Sequence, residues 1–121
     1  MEQILQENDE RTTLMIKNIP PKLQPEQLLS LFGRLGFSRK FDWFYLPAAG
    51  HQKQGQKKNA CYAFINLVHP LVVLDFYEKM QDLEWSKNFD RCQSEKRCQL
   101  RYAEFQGLES IESHYAGKKV S

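Results

Sequence analysis

The chain has 121 residues, 41% of them hydrophobic and 26% charged, which is the size and composition of one folded domain. No apolar run approaches the ~20 residues of a membrane-spanning helix, and the acidic first residues do not resemble a signal peptide, so we expect no contact with a membrane. The net charge is +2, but the first ten residues hold four acids and no base, so the rest is more basic than the total suggests. This asymmetry favours a polyanionic partner, although a plain solvated surface has the same composition.

The first part of the predicted domain follows an acidic tail, residues 1–11. Residues 12–19 are rich in β-branched and apolar side chains and stop at two prolines, which predicts a first strand. A helix is expected to begin at Pro25, because proline suits the first helical turn, and to end near Gly36, a C-cap candidate. Its buried face is predicted from the i, i+3, i+4, i+7 spacing of Leu28, Leu31, Phe32 and Leu35.

Two further strands and a long loop follow this helix. Residues 41–46 predict the second strand, which Pro47 ends. Residues 48–59 are basic and turn-rich without apolar periodicity, which predicts a mobile loop. Residues 60–67 predict the third strand.

The last part of the domain contains a second helix and a fourth strand. We expect His69 to cap this helix, whose buried face is predicted to contain Leu71, Leu74, Tyr77 and Met80. Residues 97–103 predict the fourth strand. Residues 107–115 favour a short closing helix with Leu108, Ile111 and Tyr115, before a basic tail at 117–121.

The order β-α-β-β-α-β predicts a ferredoxin-like α+β sandwich, with a four-stranded antiparallel sheet and both helices on one face. The other face of the sheet is open, so function is expected there. We interpret residues 12–116 as a single monomeric domain with a C-terminal extension, flanked by the tails at 1–11 and 117–121.

Alternation along the third strand separates two sets of side chains. Cys61, Ala63, Ile65 and Leu67 are expected beneath the helices. Ala60, Tyr62, Phe64 and Asn66 are expected on the open face, where aromatic rings can stack on bases. The alternative is that Tyr62 and Phe64 are core residues of a different sheet packing. In the first strand, Leu14 and Ile16 would face the helices, and Met15 and Lys17 the open side.

These two strands resemble the sequence motifs of RNA recognition motif domains. Residues 14–19 (LMIKNI) resemble the six-residue motif, with Met15 in place of the usual aromatic residue. Residues 60–67 (ACYAFINL) resemble the eight-residue motif K/R-G-F/Y-G/A-F-V-x-F/Y, which they match at residues 62–65. They differ from it at Ala60, Cys61 and Leu67.

A narrower resemblance covers about residues 11–116. Residues 11–20, 42–47 and 62–66 resemble the C-terminal RNA recognition motif of Mei-two-like proteins, and residues 102–108, with Ile111 and His114-Tyr115, resemble its extension. The sequence has Pro21-Lys22-Leu23 where that family usually has Asn-Lys-Tyr. Because family members are usually long and contain several such domains, we expect a minimal relative or a part of a longer protein.

The resemblance implies that the open face binds single-stranded RNA, in a process that the family associates with meiosis and post-transcriptional regulation. It implies a platform of Met15, Tyr62 and Phe64, with Tyr45 on the same side and Asn18 in a turn. By alternation Trp43 joins Tyr45, while Phe44, Leu46 and Asp42 would lie on the helix side. The predicted RNA-binding residues are Met15, Lys17, Trp43, Tyr45, Tyr62, Phe64, Asn66, Gln99 and Arg101. Candidate phosphate contacts are Lys53, Lys57, Lys58 and Arg97.

Two other functions stay open from the sequence. The same fold serves as a protein-interaction module, with the partner at the helix face or at the C-terminal helix. That helix is expected either to pack at the sheet edge or to cover Tyr62 and Phe64. Trp85 and Phe89 are interpreted as pinning their loop against the helices, with a protein-binding patch as the alternative.

An enzyme is the third possibility, but no Gly-rich loop, paired carboxylates or Ser/His/Asp set is visible. The three cysteines include no C-x-x-C pair, so we expect no metal and no cofactor. They also favour a reducing compartment, either nucleus or cytoplasm.

Overall fold

A computed structural model describes residues 10–50, 55 and 57–106, and within them the predicted order of strands and helices is confirmed. The elements are β1 (Thr13–Lys17), α1 (Pro25–Arg34), β2 (Phe41–Tyr45), β3 (Tyr62–Leu67), α2 (Pro70–Met80) and β4 (Gln99–Tyr102). The strands form one antiparallel sheet in the order β2-β3-β1-β4. The predicted closing helix and both tails lie largely outside the described residues. Neither α1 nor α2 is long and apolar enough to cross a membrane.

The first helix begins and ends where the sequence predicts. Pro25 occupies the first turn, and the Gln27 side chain accepts a hydrogen bond from the backbone N–H of Gln24 at 2.8 Å. Gly36 follows the C-cap residue Leu35 and adopts a φ of +94°, a conformation that glycine tolerates without strain. The predicted face is confirmed, since Leu28, Leu31 and Phe32 are buried and Leu35 packs at its margin.

The predicted buried face of α2 is wrong in part. Leu71 is 61% exposed and Leu74 is only partly buried, whereas the face against the sheet consists of Val73, Phe76 and Met80. Apolar residues surround most of this helix, so the spacing alone allows more than one rotation about its axis. The rotation is fixed by packing, because the Phe76 ring lies edge-on to two neighbouring rings at 5.0–5.5 Å. The predicted cap is confirmed, since His69 Nδ1 accepts a hydrogen bond from the N–H of Leu71.

The segment between α2 and β4 is anchored in the core. Trp85 is fully buried in a short 3₁₀ turn, and its ring stacks on that of Phe89 at 6.3 Å. The prediction that these residues pin the loop against the helices is therefore confirmed. Cys98 is buried beside this segment, and burial, with a smaller effect from Asp82, raises the pKa of its thiol far above the usual range. This thiol is protonated at any physiological pH.

The corrected face of α2 gives a stability prediction. Phe76→Ala is expected to lower the free energy of unfolding by about 3–5 kcal/mol, because it empties a site enclosed by other rings. Leu71→Ala on the same helix is the control and is expected to change it by less than about 0.5 kcal/mol. Urea unfolding of both variants measures the difference. A larger loss of unfolding free energy for Leu71→Ala than for Phe76→Ala would support the buried face predicted from the sequence instead.

Candidate nucleic-acid interface

The open face of the sheet is organised around Met15 at the centre of β1. Met15 pairs with Phe64 of β3 on one side and with Arg101 of β4 on the other. Lys17, two residues further along β1, pairs with Tyr62 and Gln99 in the same way. Since side chains alternate along every strand, this register places the predicted residues of three strands on one surface.

The aromatic residues of this surface form two neighbouring pairs. The Tyr62 and Phe64 rings lie 5.6 Å apart, nearly perpendicular to each other, and the Trp43 and Tyr45 rings lie 6.1 Å apart. All four side chains are partly exposed, in contrast to the buried residues between them. The alternative in which Tyr62 and Phe64 belong to the core therefore does not hold for this fold.

A bulge at the beginning of β2 corrects the prediction for Asp42. The pairing with β3 shifts between Phe41 and Trp43, so two neighbouring residues of β2 do not alternate in the usual way. Phe41 turns to the helix side and packs against Phe32, while Asp42 is exposed rather than on the helix side. Trp43 still reaches the open face because alternation resumes after the bulge.

Asn66 lies on the open face, but its side chain is buried and engaged within the sheet. It is 4% exposed, and its Oδ1 accepts hydrogen bonds from the hydroxyls of Thr12 and Thr13 at 2.9 and 2.7 Å. Its Nδ2 donates to the Asp42 carboxylate at 2.8 Å. We therefore revise our expectation for this residue: Asn66 joins β1, β2 and β3 instead of presenting its amide to a ligand.

The polar residues at the β4 edge have different surroundings. Arg101 and Lys17 are exposed on the open face. The Gln99 amide is hydrogen-bonded to Gln81 and to the Asp82 carboxylate, at 2.8 and 2.9 Å. Arg97 forms an ion pair with Glu84 at 2.9 Å. Of the predicted cations within the described residues, Lys17 and Arg101 are thus the two exposed on the open face itself.

The loop lysines are placed away from the centre of the face. Lys57 and Lys58 line a cleft with Leu23, Gln24 and Pro25, where α1 begins. The carbonyl of Lys57 accepts a hydrogen bond from the Gln24 side chain at 2.8 Å. Lys53 lies outside the described residues.

Phe105, beyond the end of β4, also lies on the open face, which alternation did not predict. Its ring lies 5.0 Å from that of Phe64 and 6.3 Å from that of Trp43, so it sits on the open face. Beside it is a hollow of about 530 Å³ that is bounded by Met15, Tyr45, Tyr62, Phe64, Arg101 and Phe105. In the sequence, the only indication of this position is that Phe105 falls within the segment that resembles the family's C-terminal extension.

The beginning of β3 differs from the predicted strand. Residues 60 and 61 precede the strand, and Cys61 is exposed with a φ of +71° instead of lying beneath the helices. Asn59 organises this turn: its Oδ1 accepts from the N–H of Cys61, and its Nδ2 donates to the carbonyls of Pro20 and Leu23. Asn18 has a φ of 68° and donates to the Arg97 carbonyl, which confirms its predicted turn geometry.

Comparison of the sequence with known proteins identifies one protein family that this chain matches. The family model described as RNA recognition motif 2 matches residues 11–116. The chain is 37% identical to protein MEI2-like 2 of Oryza sativa subsp. japonica and 36% identical to protein MEI2-like 5 of Arabidopsis thaliana, over 99% of its own length. It spans only 13% and 14% of the lengths of these two relatives.

Solved structures give the same fold at low sequence identity. The structure of the Rna15 RRM with bound RNA (GU) has a TM-score of 0.58 at 15% identity and covers 84% of this chain and 95% of its own. An Sxl-lethal protein/RNA complex has a TM-score of 0.54 at 15% identity, covering 81% of this chain and 50% of its own.

The left-handed backbone at Cys61 gives a second stability prediction. The eight-residue motif usually has glycine at this position. A residue with a side chain destabilises the fold by about 1–2 kcal/mol in this backbone conformation, and glycine avoids that strain. Glycine in turn costs about 0.5–1 kcal/mol, because its more flexible backbone loses more conformational entropy on folding. Cys61→Gly is therefore expected to be more stable than Cys61→Ala by up to about 1.5 kcal/mol. The alanine variant is the matched control, since it removes the thiol and keeps the strain. A glycine variant that unfolds at lower urea than the alanine variant would contradict this account.

Proposed function

The chain belongs to the RNA recognition motif family, and we propose that the open face of its sheet binds single-stranded RNA. The observation that supports this most is the surface formed by Tyr62, Phe64 and Met15, with the exposed cations Lys17 and Arg101 beside it. The family is one of binding domains, which indicates a non-catalytic chain.

Stacking is the proposed source of affinity on this surface. Bases in single strands expose faces that are free to stack on aromatic side chains, whereas bases within a duplex are stacked on each other. Tyr62 and Phe64 lie side by side on one strand, a spacing that suits consecutive nucleotides. The Met15 thioether, opposite Phe64 on β1, offers a polarizable apolar contact in place of a third ring.

Electrostatics supports the same ligand. Lys17 lies two residues from Met15 along β1, and Arg101 lies opposite Met15 on β4, so phosphates that follow the bases pass close to two cations. The names of the similar proteins agree with an RNA ligand, since the Rna15 and Sxl structures contain RNA. The MEI2-like names of the relatives also support a role in meiosis.

A protein partner at the helix face is the second candidate function. Leu29 is 40% and Leu71 is 61% exposed, although both are large apolar residues. An NMR titration of the labelled domain with a pool of short single-stranded RNAs separates the two candidates. Shifts at Met15, Tyr45, Tyr62, Phe64 and Arg101 support RNA binding, and their absence at high RNA concentration would leave the helix face as the candidate surface.

The platform is tested by removing both of its rings. Tyr62→Ala with Phe64→Ala is expected to weaken RNA binding by about 2–6 kcal/mol, because each stacked base contributes about 1–3 kcal/mol. Leu29→Ala with Leu71→Ala is the control, since it removes two exposed apolar side chains from the helices. Fluorescence anisotropy with labelled RNA measures both. Unchanged affinity in a folded platform variant would exclude these rings as the stacking surface.

The phosphate contacts are tested through the salt dependence of binding. Replacement of Lys17 and Arg101 by alanine is expected to reduce the slope of log K against log salt by about 1.4, about 0.7 for each lost phosphate contact with a single strand. Lys57→Ala with Lys58→Ala removes the same charge beside α1 and is expected to leave the slope nearly unchanged. A larger change in slope for the Lys57 and Lys58 variant would indicate that the phosphates run beside α1 rather than across the open face.

A further inference from the structure

Phe105 is placed on the sheet by a turn that follows β4. The N–H of Ala103 donates to the Thr13 carbonyl at 3.0 Å, so pairing with β1 continues one residue beyond β4. The chain then bends at Glu104, and the Phe105 ring rests on Phe64 and Trp43. The extension thus adds an aromatic side chain above the plane of the platform.

Gln106 fixes this turn with its side-chain amide. Its Oε1 accepts hydrogen bonds from the backbone N–H groups of Thr12 and Thr13 at 3.0 and 2.9 Å. Its Nε2 donates to the carbonyls of Thr13 and Ala103 at 2.9 and 2.8 Å. These four bonds use both amide hydrogens and both oxygen lone pairs, which leaves the side chain one orientation. The neighbouring Phe105 is held in place as a result.

The position of Phe105 leaves space on one side of the ring. A ring that covered the platform would fill that surface, but a hollow of about 530 Å³ remains between Phe105, Tyr62 and Met15. This volume lies within the range of small-ligand sites. Arg101 and Glu104 both line it, and one cation with one anion suits a nucleobase with donors and acceptors better than a free phosphate.

We propose that Phe105 is the wall of a subsite for one RNA base, which lies in this hollow against Tyr62 and Met15. Gln106 is a positioning residue for this wall. The Trp43 ring packs edge-on against Phe105 at 79° and helps to hold it. The inference rests on the proposed RNA binding, and it adds a binding residue from outside the four strands.

The wall is tested in the 121-residue chain with fluorescein-labelled single-stranded RNA of mixed sequence at fixed salt. Phe105→Ala and Phe105→Leu are expected to weaken binding about 5- to 150-fold, the equivalent of one lost stacking contact. Phe105→Tyr keeps the ring and is expected to bind like the unaltered chain. Leu71→Ala on the helix face is the control, and thermal unfolding verifies that each variant is folded.

The outcomes separate this inference from the proposed function. If Tyr62→Ala weakens binding while Phe105→Ala leaves it unchanged or strengthens it, Phe105 does not form part of a base subsite, and RNA binding by the sheet is still supported. Stronger binding by Phe105→Ala would show that Phe105 competes with RNA. If the unaltered chain does not bind the RNA pool, the proposed function fails and the subsite fails with it.

Gln106 is tested by a double-mutant cycle. Gln106→Ala is expected to weaken binding in the unaltered chain and to cause no further loss in the Phe105→Ala background, because it acts through the position of the ring. Equal losses in both backgrounds would overturn its role as a positioning residue.

Discussion

The antiparallel pairing of β1 with β3 determines what each face of the sheet can do. Leu14 pairs with Ile65 and Ile16 with Ala63, and all four side chains are buried beneath the helices. A shift of one residue would exchange the two faces and expose this apolar set to water. The burial of these residues therefore also fixes Met15, Lys17, Tyr62 and Phe64 on the open face. The core specifies the position of the candidate site without contacting a ligand.

Regular alternation made most of this arrangement predictable from the sequence. The order of elements, the face of α1 and the open-face positions of Met15, Tyr45, Tyr62 and Phe64 follow from apolar spacing and turn residues. The errors occur where the backbone departs from regular geometry. The bulge at Asp42 and the left-handed turn at Cys61 each break the period of two, and neither has an apolar pattern that identifies it.

The other differences arise from contacts between residues far apart in the chain. The rotation of α2 depends on where the Phe76 ring finds space, and apolar spacing does not contain that information. Asn66 has the position of a binding residue, yet Thr12, Thr13 and Asp42 use its amide. Phe105 reaches the sheet through hydrogen bonds between Gln106 and β1, more than 90 residues earlier in the sequence. Contacts between residues so far apart in the chain can be identified only from the three-dimensional structure.

These contacts also tie the residues that follow β4 to the sheet. The paired residues of β4 end opposite Leu14, so the backbone N–H groups of Thr12 and Thr13 on that side of β1 need other partners, and the Gln106 side chain supplies them. Residues 103–106 are therefore part of the sheet, although they form no regular element. The same residues provide Phe105 to the open face. The side chain that completes the hydrogen bonding of β1 thus also holds an aromatic ring at the proposed site, so this site is not confined to the four strands.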